Sequence, residues 1–250
     1  MEFESASSRI NLLKIPVDIL DESNLENKII ELLENNQTNQ IVLLNFKDYI
    51  KGRNNKEFRK LLANASLVLP SSTIITKGIY FLFKRKSPNY IHYDFVLKLL
   101  NILEKHKKSI YIFGSNKKNI SISEKNLKDS YPDLHLVGRS SSNYQKEKEN
   151  DIILAIKKSS PSLLLTGSGL KGKCKWIYSN NDKFNPGLTL WSPDCFEIFS
   201  GKKKRPARKA SVRFFTKFRS SIFKPWRIFY IFPLLSYYIS LIIYKIFKLS

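Results

Sequence analysis

Six short apolar runs, spaced by helix-length stretches, constrain this fold more than any other feature of the chain. They are Gln40–Asn45, Leu67–Leu69, Ile110–Phe113, Leu134–Val137, Leu163–Leu165 and Leu188–Leu190. Short, continuous apolar runs read as strands buried on both faces, and their alternation with helices is the mark of βαβ units. The expected fold class is therefore α/β, a Rossmann-like, mostly parallel sheet flanked by helices. Ahead of it, Ile10–Leu20 reads as one or two short strands broken at Pro16.

Two strand ends stand out. Ser162–Trp176 reads SLLLTGSGLKGKCKW, a buried strand, a turn with Gly167 and Gly169, then a basic segment opening a helix. Ser109–Lys117 repeats this grammar around Gly114. Glycines let a ligand approach the backbone, and N–H groups at a helix start attract phosphate, which suggests a cleft at the strand carboxyl ends. Two ordinary strand–helix turns are the simpler alternative. Asn45 ends the third-strand region, and Ser71, Ser72 and Thr73 follow Pro70, where hydroxyls cap a helix running to Phe83 or meet a ligand. Ser23 with Glu26 and Ser121 with Glu124 suggest capping boxes, and Asn55 a cap for a helix to Leu62. Asp94 opens an amphipathic helix as a cap or a site residue.

The formal charge of +22 is unevenly spread, because no Asp or Glu occurs after Glu197. This divides the chain into an α/β domain, 1–200, and a basic appendage, 201–250. In the appendage KKKRPARK leads into cations interleaved with Phe and Trp, and residues 228–244 then carry no charge. Basic and aromatic residues beside an apolar run suit a helix on anionic lipid, placed interfacially or re-entrantly rather than as a full span. Nucleic acid is a weaker partner, since no recognised binding motif accompanies the charge. Cys174 and Cys195 fit neither a disulfide framework nor a zinc spacing, and MEFESASSRI lacks the apolar core of a secretory signal. These features place the protein on the cytoplasmic face of the cell membrane; a homo-oligomer is compatible with them.

Six segments together resemble the WecB/TagA/CpsF family of glycosyltransferases: IVLLNFKDYI (41–50), ANASLVLPSS (63–72), IYIFGSNKKNI (110–120), YPDLHLVG (131–138), LLLTGSGLKGKCKW (163–176) and FEIFSGKKKRP (196–206). The resemblance implies transfer of an N-acetylhexosamine-type sugar from a UDP-sugar donor to a polyprenyl-diphosphate-linked acceptor of envelope polysaccharide. It implies Ser71 and Asp94 at the catalytic positions, and Asn45, Gly114, Gly167, Gly169, Lys173, Glu197, Lys204, Arg205 and Arg213 around the substrates. No Asp-x-Asp motif is visible, so neither metal nor organic cofactor is expected, and backbone N–H groups and tail cations would meet the diphosphate charge.

The chain departs from the family at its chemistry. Where the family carries Asp-Gly after this strand, with that Asp as proposed base, the chain has Ser71 and Ser72. Asn89, His92 and Tyr93 replace the Arg, Gly and Ser of Arg-x-x-Gly-Ser-Asp. Lys171, Lys173 and Cys174 interrupt Pro-x-Gln-Glu-x-Trp, leaving Trp176, and Glu197 replaces an Asp. A serine hydroxyl is no base near neutral pH. Either Asp94, His92 or Asp48 has taken that role, or transfer runs slowly without it. The remaining alternative is a pseudoenzyme that binds or regulates within polysaccharide synthesis.

Overall fold

The computed structural model describes residues 7–206 and 231–247. It opens with an antiparallel hairpin, β1 (Ser7–Leu12) and β2 (Ile15–Leu20). The break falls at Leu13 and Lys14, whose φ values of +49° and +72° suit a two-residue hairpin turn, and not at Pro16. Pro16 lies inside β2 opposite Asn11, one pair along from the closing pair Leu12–Ile15. Antiparallel pairs alternate in hydrogen bonding, so that position needs no N–H.

The main sheet contains β3 (Thr38–Leu44), β4 (Leu67–Pro70), β5 (Ser109–Phe113), β6 (His135–Ser140), β7 (Leu163–Thr166) and β8 (Gly187–Trp191), in the order β4-β3-β8-β7-β5-β6. Every pair is parallel, as the alternation predicted. Side chains alternate across it into two cores. Val42, Leu44, Val68, Phe113 and Leu164 face α2 (Phe46–Asn54), α3 (Lys56–Asn64), α4 (Thr73–Phe83), α7 (Glu149–Ser159), α8 (Cys174–Asn180) and α10 (Ile231–Ile246). Ile41, Leu43, Leu69, Ile112 and Leu165 face α1 (Leu25–Glu34), α5 (His92–Lys105), α6 (Lys117–Ser130) and α9 (Cys195–Phe199).

Local caps only partly follow the sequence. Asn55 accepts from Phe58 N–H as expected, and Ser72 accepts from Ile74 N–H. The two capping boxes do not form. A 3₁₀ turn at Glu22–Asn24 leads into α1 without a side-chain cap, and α6 starts earlier, capped by Asn116. Glu124 instead pairs with Lys128 and Arg139. The sequence reading also passed over α2, whose FKDYIKGRN is too polar for a clear apolar stripe. Asn45 caps it, accepting from Asp48 N–H at 3.0 Å.

The uncharged run supplies α10, which packs on α4. A Cβ at Gly78 would fall on the Tyr237 hydroxyl. Tyr237 donates to Ile74 O at 3.3 Å and meets Phe46 and Tyr49 edge-on. Tyr237 and Leu241 are buried, whereas Ile231, Phe232, Leu235, Ile239, Ile242 and Ile246 are each at least half exposed. Among the described residues, no helix is long and apolar enough to cross a membrane.

One ion pair fastens the hairpin to the sheet edge. Arg9 donates twice to Asp18, at 2.8 Å each, and the buried Asp18 also accepts from Val68 N–H at 2.6 Å. Asp18 is buried while Arg9 is exposed and also donates to Ala65 O at 2.8 Å, so the main loss on removing Asp18 is the acceptor of the buried Val68 N–H. Asp18→Ala is expected to cost about 1–3 kcal/mol in urea unfolding. Arg9→Met with Asp18→Leu should recover part of that loss.

Candidate active site

The connections leaving β5 and β7 diverge, one to β6 and the other to β8, so a crevice opens between their carboxyl ends. The two predicted glycine turns meet there. Gly114 has φ +148°, and a Cβ on it would stand 2.8 Å from Gly167 N. Their amides are already engaged: Gly114 N–H donates to Ser140 O, Ser115 N–H to Ser168 O at 2.7 Å, and Gly167 N–H to Phe113 O. The turns therefore offer close backbone approach more than free donors.

Below them lies Glu197. One carboxylate oxygen accepts from Ser115 Oγ at 2.6 Å and from Ser168 Oγ; the other, Oε2, is buried without a partner among the described residues. Burial pushes this carboxyl up, but the two serine hydroxyls, with smaller help from the backbone and Lys203, outweigh it and hold the pKa below the usual range. An ionised, half-satisfied carboxylate calls for a donor from outside, as a ligand hydroxyl or N–H would give. Gly169 (φ +83°), Gly172 (φ +86°) and Lys173 (φ +53°) shape the loop that follows. Lys173 Nζ lies 5.3 Å from the centre of the Trp191 ring.

Trp191 joins the two halves of the edge. Its indole N–H donates to Gly167 O at 3.2 Å, and its ring meets His92 edge-on. His92 Nε2 in turn lies 3.4 Å from Ser71 Oγ, while its Nδ1 is buried without a partner among the described residues. Burial lowers the His92 pKa to about 4, although Asp194 opposes the shift. Ser71 N–H donates to Leu44 O, which places it beside Asn45 at the ends of β4 and β3.

The other predicted residues are dispersed. Asp94 sits in the first turn of α5 without capping it and lines a separate cavity of about 450 Å³ with Glu22, Asn89, Lys98 and Tyr131. Lys204 and Arg205 are exposed, with the Arg205 guanidinium 5.8 Å from the Tyr93 ring centre. Arg213 lies outside the described residues. No group of three or more His, Cys, Asp or Glu that could hold a metal occurs among the described residues. Trp191, Ser115 and Ser168 escaped the sequence reading; the available signal was a Trp at a strand's carboxyl end and a Ser after each glycine turn.

The architecture is a Rossmann-like α/β domain whose candidate site lies along the strand carboxyl ends. The chain belongs to the Glycosyl transferase WecG/TagA/CpsF family, whose sequence profile matches residues 10–248. It is also similar to the N-acetylglucosaminyldiphosphoundecaprenol N-acetyl-beta-D-mannosaminyltransferases of Bacillus subtilis (strain 168) and Bacillus spizizenii (strain ATCC 23059 / NRRL B-14472 / W23). Each is 22% identical over 173 residues, which is 69% of this chain and 66% of the relative. The resemblance read from the six segments thus holds over nearly the whole sequence.

The buried imidazole carries a pH signature. A histidine of ordinary pKa about 6.5 when unfolded and about 4 when folded binds more protons unfolded across that window, so stability falls as pH drops through it. The full effect is on the order of 3 kcal/mol. His92→Gln should flatten melting temperature against pH between about 6.5 and 4. Curves that stay parallel to wild type would refute the buried neutral state.

Proposed function

We propose that the protein transfers an N-acetylhexosamine-type sugar from a UDP-sugar to a polyprenyl-diphosphate-linked acceptor in envelope polysaccharide synthesis. The observation that carries this reading is the Ser71–His92 pair, joined through Trp191 to the glycine crevice. Family membership and the mannosaminyltransferase activity of the two relatives support the reaction class. In this reading the donor nucleoside lies at the crevice, with its hydroxyl or N–H groups toward Glu197 Oε2. In the same reading Lys173, Lys204 and Arg205 neutralise the diphosphate, a role the family resemblance also gives Arg213, outside the described residues.

The acceptor hydroxyl oxygen attacks the anomeric carbon, the bond to UDP breaks, and UDP leaves with the electron pair. The acceptor proton passes to Ser71 Oγ as Ser71 hands its own to His92 Nε2. Ser71 is no base by itself, yet burial brings His92 to about 4, close to the ordinary aspartate value of about 3.9. The imidazole is then a base of roughly the strength of the carboxylate expected at the Ser71 position. The exposed apolar face of α10 and the basic appendage hold the protein against the cytoplasmic membrane surface.

The test is transfer from UDP-N-acetylhexosamines to a short prenyl-diphosphate-linked N-acetylglucosamine by the purified protein. Wild type should transfer, and His92→Gln should lower kcat by roughly 10²–10⁴-fold with donor affinity unchanged. Undiminished turnover in His92→Gln removes the relay. UDP binding without transfer for any sugar would instead support the inactive binding protein.

A further inference from the structure

One exposed face of α4 carries a graded sequence of chemistry. Thr73, Thr76, Lys77 and Tyr80 recur at three- and four-residue spacing, which puts them on one stripe, and Lys84 follows as the left-handed cap of the helix. From the N-terminus the order is hydroxyl, hydroxyl, cation, aromatic, with the cap cation beyond. Tyr80 is 52% exposed, a large side chain with no core role. The lower stripe opens into a shallow cavity of about 590 Å³ lined by Thr76, Lys77, Tyr80, Phe81, Lys84 and Lys86. Lysines rim its apolar floor, with Lys84 Nζ 5.6 Å from the Tyr80 ring centre and Lys245 of α10 4.3 Å from that of Phe81.

We infer that this stripe binds the prenyl diphosphate of the acceptor, an assignment that rests on the transferase reading above. The acceptor presents, in order, a reacting sugar hydroxyl, a sugar ring, a diphosphate and an isoprenoid chain. The helix presents Ser71 just before its start, then Thr73 and Thr76, then Lys77, then Tyr80 and Phe81. Thr73 and Lys77 are about 6 Å apart along the axis, roughly one turn. The hydroxyls match the sugar, Lys77 with the rim lysines matches the diphosphate, and the aromatic floor matches the first prenyl units. Membrane lipid would need the apolar floor and the cations but not their order relative to Ser71.

Farnesyl diphosphate is a suitable probe, because it binds without needing catalysis. Calorimetry should show it binding at least tenfold more tightly than inorganic pyrophosphate or farnesol alone, since both halves of the site are then filled. Lys77→Glu and, separately, Tyr80→Ser should each weaken it about tenfold or more; both positions are exposed, and Lys84→Glu is a third variant. UDP binding should be unchanged in all three. Equal farnesyl diphosphate affinity in wild type and variants overturns the assignment. So does a loss confined to binding of vesicles of phosphatidylglycerol and phosphatidylcholine, which would mark a membrane face. If no sugar transfer is found but the probe binds and the variants lose it, the stripe stands while the transferase reading falls. If transfer occurs with the KM for acceptor unmoved by Lys77→Glu, the stripe falls alone.

Discussion

The contact between the Gly114 and Gly167 turns is the constraint from which the rest of the carboxyl edge follows. Only residues without a Cβ let these two backbones approach, since a methyl at either meets the other turn or the Phe196 ring. Once they touch, Ser115 N–H reaches Ser168 O, and both serine hydroxyls converge on Glu197. That convergence fixes α9 against the crevice and supplies a pre-oriented anion. It also consumes the amides that a glycine turn would otherwise offer to phosphate. In the proposed reading, discrimination there falls to the carboxylate and anion neutralisation to Lys173.

Burial does chemical work at the other end of the edge. The same low-polarity surroundings that leave His92 Nδ1 unpartnered lower the imidazole basicity, and Trp191 is one wall of them. A solvent-exposed histidine beside Ser71 would be partly protonated near neutral pH. A buried one stays neutral across the physiological range. In the proposed reading, Ser71 and His92 together take the place of the aspartate that the family resemblance puts at position 71.

Much of the fold was legible because parallel strands buried on both faces must be apolar throughout. That is why Ile110–Phe113 and Leu163–Leu165 announced themselves, and why the parallel sheet could be read from alternation alone. What was hidden depended on non-local contacts. Helix α2 reads as polar because its packing rests on Gly52, where a Cβ would stand 2.9 Å from Leu62, and glycine carries no hydrophobic signal. Asn116 won the cap over Ser121 because the strand ends at Phe113, a boundary that side-chain spacing cannot locate. The glycine turns and Glu197 were legible as site candidates. The approach of His92 to Ser71 was not, since they stand 21 positions apart with α4 and a loop between them. Its ring had been only one of several candidate bases.

Helix α4 binds these pieces into one device. Its buried face, Ile75 and Ile79, belongs to the sheet core, and Gly78 on its flank admits Tyr237 of α10. Its N-terminus follows Ser71, and the remaining face is exposed. A residue on such a helix cannot drift without moving all three contacts, because a packed core transmits displacement rather than absorbing it. The spacing of groups along the exposed face is therefore fixed by helix rise rather than by loop conformation. A surface held at a fixed distance from a reacting hydroxyl can measure a substrate. In the proposed reading, that rigidity makes α4 the element that sets where an extended acceptor is held.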